Sequence, residues 1–522
     1  MTDAARDTQE IELKFEIDPE GLDRLEERLT IRAGSPEQPP VQTLVSTYYD
    51  TDALDLQKAG LTLRVRQHGK RRVQTVKSEG DSLFTRGEWE CDLIGEDLNV
   101  KALSRTPIGP MLTDGGLILK PVFATRMNRT LRLIREPAGE VEAALDRGHI
   151  EADGRITPVC ELELELKAGQ PQALFGLARR LAEAEPLRLS FQSKAERGFR
   201  LLADHAPEAM RGEAPRLGAK MTVAQAFVAV AAQGLRQLTA NAETLRTVRR
   251  PEALHQTRVA IRRLRTAFKL FEPAVRDKES ERLAAELKWL ARELDQARDL
   301  DVMIAETFTP AAARFHSQDG MAGLGKRLHA ARGTAYDSGL LALDSPRYLA
   351  LTLDLAAWLD SGDWRNAADP LFAARAGAPI TAFAAAGLDR LRKQIKRRGQ
   401  DLKHLSPELR HKLRIRAKRL RYALEFFGDL YRAKPGYDRF AKILKGLQDS
   451  LGQLNDLEVA RAQGQRLAEA GGRAAGEGVI QGARQAFAAG LMIGARAQAE
   501  KPLLKEAAKL HERLVEAERF WR

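Results

Sequence analysis

Two segments of the sequence alternate carboxylates with apolar residues at a spacing that suits metal and phosphate chemistry. They are Glu-Ile-Glu-Leu-Lys at residues 10–14 and Glu-Leu-Glu-Leu-Glu-Leu-Lys at residues 161–167. On a β-strand alternate side chains point to the same face, so each segment would present a row of carboxylates that ends in a lysine. Carboxylate oxygens suit Mg²⁺ or Mn²⁺, whereas lysine and arginine bind phosphate oxygens. The pattern predicts a divalent cation held beside a phosphorylated substrate.

The segments between these two strands carry further charged residues at the same alternation. They are Arg64, Arg66, Lys77, Glu88, Glu90, Arg129, Glu142 and Asp146. The solvated face of an ordinary amphipathic strand would give such a pattern once. Because several separate strands share it, we interpret them as one charged surface on which carboxylates hold a metal and cations surround a triphosphate.

The elements that would position these residues are strands, because hydrophobicity alternates with a period of two up to about Cys160. The predicted strands are 10–17, 44–49, 61–67, 73–77, 87–93, 130–135, 140–146 and 157–167. About eight strands with few helices predict an antiparallel barrel or a curled sheet. Apolar side chains would coat one face of this sheet, and the charged side chains would line the other.

From about Met221 the pattern changes to the helical period, and it contains an internal repeat. The block that begins at His255 recurs at His411, and residues 294–301 recur at 451–458. Two related helical bundles are therefore predicted. Each copy places cations at spacings of three and four, which puts them on one helix face. These residues are His255, Arg258, Arg262 and Arg265, followed by His411, Arg414, Lys418 and Arg421.

Such a ridge of cations could follow an extended chain of phosphates. The alternative is a solvated basic face balanced by nearby acids such as Asp299, Asp301, Asp456 and Glu458. The charge balance favours the first interpretation. Residues 1–210 contain 29 basic and 36 acidic residues, and the remainder contains 55 basic and 36 acidic ones. The second half should therefore attract polyanions.

The length of 522 residues favours two or three domains. We predict a first domain at 8–203, a linker at 204–219 and a helical domain at 220–521. No long apolar stretch predicts a membrane span, and the polar start and two cysteines favour the cytoplasm. The sequence contains no P-loop and no serine-hydrolase elbow. Nucleic acid is disfavoured as a partner, because the helical half is poor in aromatic residues.

The first half resembles the CYTH family, the triphosphate tunnel enzymes. The resemblance runs in order through Glu-x-Glu-x-Lys at 10–14, Leu-Thr-Leu-Arg-Val-Arg at 61–66, Arg-Gly-Glu-Trp-Glu at 86–90, the segment at 160–167 and Ser-Lys-Ala-Glu-Arg at 193–197. It implies an eight-stranded antiparallel tunnel that hydrolyses or cyclises triphosphate compounds with Mg²⁺ or Mn²⁺. The implied metal ligands are Glu10, Glu12, Glu163, Glu165 and Asp146, and the implied phosphate ligands are Lys14, Arg64, Arg66, Lys77, Arg129 and Lys194. The implied catalytic set is Glu10, Glu12, Lys14, Glu163 and Glu165.

The second half resembles the CHAD family of helical domains through its two His-x-x-Arg blocks. This resemblance implies a basic surface that binds inorganic polyphosphate. The pairing is similar to bacterial CYTH–CHAD inorganic triphosphatases, so we expect hydrolysis of inorganic triphosphate to diphosphate and phosphate. An association with polyphosphate granules in the cytoplasm is also expected. Two alternatives stay open: a nucleoside or thiamine triphosphatase or adenylate cyclase, and a non-catalytic polyphosphate-binding scaffold.

Overall fold

The structure is a computed structural model that describes residues 6–32, 40–78, 85–113, 117–204, 207–316, 318, 320–366, 369–472, 478–497 and 500–522. The chain forms two compact units. The first comprises Met1–Met210, Leu235–Val248 and Leu343–Gly362, and the second comprises Arg211–Gly234, Arg249–Ala342 and Asp363–Arg522. The first unit thus includes two helical segments from beyond the linker predicted at 204–219.

The first unit is built on one antiparallel sheet of nine strands. They are β1 (Arg6–Glu16), β2 (Gln42–Asp50), β3 (Leu61–His68), β4 (Arg71–Ser78), β5 (Thr85–Asp92), β6 (Lys120–Glu136), β7 (Gly139–Ala152), β8 (Arg155–Gly169) and β9 (Arg188–Ser190). Their order in the sheet is β5-β4-β3-β2-β6-β7-β8-β1-β9, and β5 also pairs with β1. All eight predicted strands are present. The predicted eight-stranded barrel is not confirmed in that form, because the sheet has a ninth strand.

The helices of this region are short, and several cover the apolar face of the sheet. They are α1 (Pro19–Arg32), α2 (Asp55–Lys58), α3 (Val100–Leu103), α4 (Gly109–Thr113), α5 (Pro171–Ala184) and α6 (Lys194–Leu202). Leu61 and Leu63 of β3 pack with Leu56 of α2 and Leu103 of α3 in one fully buried cluster. This packing agrees with the predicted apolar face of the sheet, and it shows that helices cover that face here.

The opposite face of the sheet carries the charged residues, and the strand register explains how they meet. Lys14 of β1 lies opposite Glu163 of β8, and Glu163 lies opposite Ala144 of β7. Asp146 of β7 lies opposite Glu161 on one side and opposite Arg129 of β6 on the other. Directly opposed residues in an antiparallel pair share a face. Four strands therefore bring their charged residues together on one surface.

The remaining helices follow in chain order. They are α7 (Val223–Thr247), α8 (Pro251–Val275), α9 (Lys278–Glu293), α10 (Asp295–Met303), α11 (Thr309–Arg314), α12 (Met321–Leu343), α13 (Pro346–Ser361), α14 (Pro370–Gly377), α15 (Ile380–Arg398), α16 (Pro407–Phe426), α17 (Gly428–Tyr431), α18 (Tyr437–Gly472), α19 (Gly478–Ala497) and α20 (Glu500–Glu516). The second half of α7 and all of α13 belong to the first unit. Within the described residues, no helix has an apolar stretch of the length that would cross a bilayer.

The two copies of the repeat meet in the second unit. The basic blocks lie on α8 and α16, which pack against each other, and α10 packs against α18 in the same way. An apolar stripe of α8 is buried, with Leu264 and Phe271 almost inaccessible. Phe271 is stacked on Phe383 with ring centroids 5.1 Å apart. The apolar side of each basic helix thus fixes the direction in which its cations project.

Candidate functional site

Lys194 lies at the centre of the charged surface, and a helix cap positions it. The Ser193 hydroxyl accepts a hydrogen bond from the Glu196 amide at 3.1 Å. The Glu196 carboxylate accepts one from the Ser193 amide at 2.6 Å. This capping box begins α6 at Lys194. The Lys194 ammonium is 2.7 Å from Asp146 Oδ2 and 3.0 Å from Glu163 Oε1, and it also pairs with Glu161.

Arg129 and Lys14 complete this cluster from the neighbouring strands. Arg129 donates two hydrogen bonds to the Asp146 carboxylate at 2.7 and 2.6 Å and a third to Glu163 Oε2 at 2.6 Å. The Lys14 ammonium lies 2.9 Å from Glu163 Oε1. Glu163 therefore contacts Lys14, Arg129 and Lys194 at once. A bidentate arginine and two ammonium groups held this way form a rigid set of hydrogen-bond donors for phosphate oxygens.

The charges in this cluster stabilise one another despite burial. Burial would raise the pKa of Glu163, yet Lys14, Lys194 and Arg129 hold that pKa well below its ordinary value. Burial opposes the charged form of Lys14 too, but the carboxylates of Glu163 and Glu12 raise its pKa. The pKa of Lys194 is likewise raised, against its burial, by Asp146, Glu161 and Glu163. All of these groups are therefore charged at neutral pH.

A second set of charges lies on β3, β4 and β5. Glu88 is buried, and its Oε1 atom is 3.0 Å from the Lys77 ammonium and 3.5 Å from the Arg64 guanidinium. Burial, together with the charges of Arg64 and Arg129, lowers the pKa of Arg66 to about 10. The influence of Arg129 on Arg66 links this set with the first cluster. The second set therefore offers three further cations to a polyanion.

The expected metal ligands divide into three groups. The structure brings Asp146 and Glu163 together, with Glu161 as a third carboxylate that the sequence analysis left without a role. Glu12 lies opposite Glu165 in the register of β1 and β8, and the Glu165 carboxylate is 2.7 Å from the Lys167 ammonium. The side chain of Glu10 lies outside the described residues. Glu161 shares the alternation of Glu163 and Glu165, and this spacing alone would have identified it as a candidate metal ligand.

Three of these carboxylates fit a hard divalent cation by chemistry and spacing. Ligand oxygens of Asp146, Glu161 and Glu163 all lie within 4.8 Å of one another. Oxygen donors at this spacing suit Mg²⁺ or Mn²⁺. Lys194 already pairs with all three, so a cation bound among them would compete with its ammonium group. Glu12 is half-buried and has no ion pair among the described residues. A metal ion could therefore bind its carboxylate oxygen without displacing a lysine or arginine.

The second unit contains a large open cavity between the two copies of the repeat. Its volume is about 1220 Å³, and its walls come from α8, α9, α10, α16 and α18. Ten lysine and arginine residues line it, against seven acidic residues. The predicted ridge residues that line it are His255, Arg258, Arg262, Arg265, His411, Arg414 and Lys418. The repeat therefore builds one basic cavity from both of its copies.

Arg421 differs from the other predicted ridge residues. It does not line the cavity, and its Nε atom donates to Glu425 Oε1 at 3.0 Å. One of the acids named as balancing charges, Asp301, is also engaged elsewhere. Asp301 is buried and accepts hydrogen bonds from Arg332 at 2.6 Å and from Tyr336 at 2.7 Å. Asp299 and Asp456 do line the cavity, so the predicted balance is only partial.

Cations crowd one another inside this cavity. Burial and the neighbouring Arg262 and Arg414 lower the pKa of Lys418 to about 6. Burial and Arg298 lower the pKa of His255 to about 4. His255 is therefore neutral at pH 7, so one ring nitrogen can donate a hydrogen bond and the other can accept one. The free cavity holds more positive groups than its own acids can stabilise.

Comparison with known proteins defines the class of each half. Residues 8–199 match the CYTH domain, and residues 229–465 match the CHAD domain. The chain therefore contains a CYTH domain followed by a CHAD domain, which confirms both resemblances. It is similar to the inorganic triphosphatase of Haemophilus influenzae, with 33% identity over 196 residues. The match covers 37% of this chain and 55% of that protein, so the chain spans about half the length of this relative.

Two solved structures are similar to parts of this chain. The CHAD domain of the plant Ricinus communis is 31% identical to this chain, with a TM-score of 0.49. The matched region covers 58% of this chain and 96% of the Ricinus communis domain. A Hippeastrum protein described as having a dominant triphosphatase activity is 19% identical, with a TM-score of 0.27. The second similarity covers 37% of this chain and 95% of that chain.

Proposed function

We propose that this protein hydrolyses inorganic triphosphate to diphosphate and phosphate with a divalent metal, and that its CHAD domain binds inorganic polyphosphate. The observation that carries the first part is the cluster in which Glu163 contacts Lys14, Arg129 and Lys194. A simple polyphosphate binder needs the cations but has no use for the carboxylates. The name of the Haemophilus influenzae relative supports the same activity.

The charged face is proposed to enclose the substrate in a tunnel. The strand pairing supports this, because β5 pairs with β4 along one edge and with residues 6–11 of β1 along the other. An enclosed site would exclude water and strengthen each contact between cations and phosphates.

Each residue of the cluster has a proposed role in this reaction. Lys14, Arg64, Arg66, Lys77, Arg129 and Lys194 would neutralise the oxygens along the triphosphate. Glu10, Glu12, Glu163, Glu165 and Asp146 would hold the metal, with Glu161 added from the structure. When bound there, a divalent cation supplies charge withdrawal from the phosphoryl group and a more acidic water. Asp146 holds Arg129 in a bidentate geometry, so that the guanidinium is already oriented when the substrate enters.

Inorganic triphosphate is the preferred substrate because the aromatic pair Tyr48 and Phe123, on the charged face of the described strands, is not free to stack on a base. Tyr48 and Phe123 stack with centroids 4.4 Å apart, and both are buried against Phe199 of α6. A nucleoside or thiamine triphosphate would need an accessible aromatic surface or other groups that recognise its organic part. The first alternative therefore has less support than an inorganic substrate.

The polyphosphate role rests on the cavity of about 1220 Å³ and its excess of cations. A polyanion would replace the repulsion among Lys418, Arg262 and Arg414 with attraction. Such binding is electrostatic in origin, so we expect it to weaken as salt increases. Localisation in the cytoplasm, and at polyphosphate granules, stays a prediction.

The test is a substrate panel with the purified full-length protein. Inorganic triphosphate, ATP, thiamine triphosphate and long-chain polyphosphate are each supplied with Mg²⁺ or Mn²⁺, and phosphate release is measured. We expect the highest kcat/KM for inorganic triphosphate. Turnover of ATP alone would support the nucleotide alternative, and tight polyphosphate binding without any turnover would support the scaffold alternative.

A matched pair of variants tests the metal site. Glu12→Gln removes a carboxylate that has no ion pair in the described part of the chain, and we expect kcat/KM to fall by about 100-fold or more. Glu140→Gln is the control, because Glu140 lies on β7 and, within the described part of the chain, forms its ion pair with the exposed Arg135 at 3.3 Å. A higher Mn²⁺ concentration should partly restore the activity of Glu12→Gln alone. Equal activity of both variants would contradict the assignment.

A further inference from the structure

A row of arginines leaves the cavity of the CHAD domain along the side of α16. Arg265 of α8 and Arg419 of α16 both line the cavity. Arg416 is three residues before Arg419, so the two side chains lie on one face of α16. That face differs from the one that carries Arg414 and Lys418. The row therefore begins inside the cavity and continues outside it.

Arg398 extends this row onto the neighbouring helix. Helix α15 packs against α16, and Arg398 is the last residue of α15. Its charge lowers the pKa of Arg416, after burial as the larger cause. After burial, Arg416 and Arg265 in turn lower the pKa of Arg419. Each guanidinium in the row thus lies near the next.

These four arginines lack the acidic partners that most buried cations in this protein have. Among the described residues, none of the row has a carboxylate within ion-pair distance. The Nε atom of Arg398 is buried and has no hydrogen-bond partner. By contrast, Arg421 on the same helix is paired with Glu425 at 3.0 Å. Arg416, Arg419 and Arg398 are half-buried, and Arg265 is exposed. Unpaired cations placed side by side are costly unless an anion lies across them.

We propose that Arg265, Arg419, Arg416 and Arg398 form an exit groove for polyphosphate, which binds the part of a long chain that the cavity cannot contain. This inference rests on the proposed polyphosphate binding of the CHAD domain and adds a chain-length preference to it. On α8 the ridge from His255 to Arg265 is about 15 Å long, since a helix rises 1.5 Å per residue. A short chain is held by that ridge alone, whereas a longer one continues into the groove. The groove makes affinity depend on chain length.

The test compares short-chain and long-chain polyphosphate by titration of the full-length protein in EDTA, where hydrolysis does not interfere. The double variant Arg398→Ala/Arg416→Ala removes two groove cations that do not line the cavity. We expect unchanged affinity for the short chain and a loss of about tenfold for the long chain. The slope of log affinity against log salt should fall by about 1.5 for the long chain, because two phosphate contacts are lost.

The control removes the same number of positive charges, both from α15. Lys393→Ala/Arg397→Ala changes two exposed residues of α15 that have no ion pairs among the described residues, so it should leave both affinities close to those of the wild type. The double variant Arg398→Lys/Arg416→Lys keeps both charges and should retain most of the long-chain affinity, even if the Ala variant is unstable.

Equal losses for short and long chains, or a loss no larger than that of the control, would overturn the groove. A wild-type protein that binds no polyphosphate of either length would instead overturn the proposed role of the whole cavity, and the groove with it. Single-stranded DNA competing as well as long-chain polyphosphate would also count against the groove, because it would indicate a general polyanion surface.

Discussion

Removal of the Lys194 ammonium should destabilise the first unit strongly, because that group joins three carboxylates. In Lys194→Met the side chain keeps its length but loses its charge. The buried site would then contain the carboxylates of Asp146, Glu161 and Glu163 with one fewer cation to balance their negative charge. The side chains of Lys194, Asp146 and Glu161 are 9%, 0% and 1% exposed, so solvent provides little screening. Breaking a buried ion pair costs about 3 to 5 kcal/mol, and we expect a loss in that range near neutral pH.

This loss should depend on pH in a defined direction. In the wild type the pKa of Glu163 and that of Asp146 are lowered, so their stabilisation is present above the ordinary carboxyl pKa and is lost as the pH falls through the folded-state values. Without Lys194 the same carboxylates are easier to protonate. Protonation relieves their repulsion, so the variant should differ least from the wild type at about pH 5.

The two cysteines provide an assay that is specific for the first unit. The chain contains two cysteines, and both are half-buried, Cys91 on β5 and Cys160 on β8. Pulse labelling of their thiols along a urea titration reports unfolding of the sheet, whatever the CHAD domain does. EDTA in every sample removes any contribution from bound metal.

Lys120→Met is the matched control. The Lys120 ammonium lies 2.7 Å from Asp52 Oδ2, but the two side chains are 51% and 80% exposed. An exposed pair contributes under about 1 kcal/mol. Equal destabilisation by both variants, or a Lys194→Met protein as stable as the wild type near neutral pH, would refute the reasoning about the buried cluster.

Two further predictions concern proton uptake and packing. The pKa of Lys418 is about 6 in the free cavity, and bound polyphosphate should raise this pKa, so that Lys418 takes up a proton on binding. The affinity for polyphosphate should therefore fall as the pH rises above 6. Calorimetry in two buffers of different ionisation heat measures the proton uptake, which Lys418→Gln should reduce. A Cβ atom at Gly198 would lie 2.2 Å from the Phe123 ring, so Gly198→Ala should destabilise the sheet by about 1 to 3 kcal/mol in the thiol-labelling assay. Gly176→Ala on α5 is its control, because the nearest atom is 3.6 Å away on Arg180, and it should be neutral or stabilising.

The strand pattern was predictable because charge and hydrophobicity alternate clearly. Strand β6 was predicted only from Thr130, yet it begins at Lys120, because its first half mixes polar and apolar residues on both faces. Strand β9 has three residues, too few to show a period. The register was not predictable, since it depends on pairing between strands that are far apart in sequence.

Arg421 shows why a helical spacing rule was insufficient in the second unit. It occupies the same place in the second copy as Arg265 in the first. The residue four positions later is Glu425 in the second copy, and it captures Arg421 at 3.0 Å. The corresponding residue in the first copy is Lys269, which cannot pair with Arg265. Arg398 was missed for the related reason that it lies on another helix, which no single-helix pattern includes.

The register of β6, β7, β8 and β1 restricts how this domain can change during evolution. One residue inserted inside β8 would exchange the positions of Glu163 and Leu164, and every later side chain of that strand would turn to the other face. The ion pairs of the charged face and the packing of the apolar face would then both be lost through one insertion. The turn at Asp153 and Gly154, where both residues have positive φ angles of 48° and 73°, lies beyond this row. Length variation among descendants should therefore be confined to such turns, while the four strands keep their lengths.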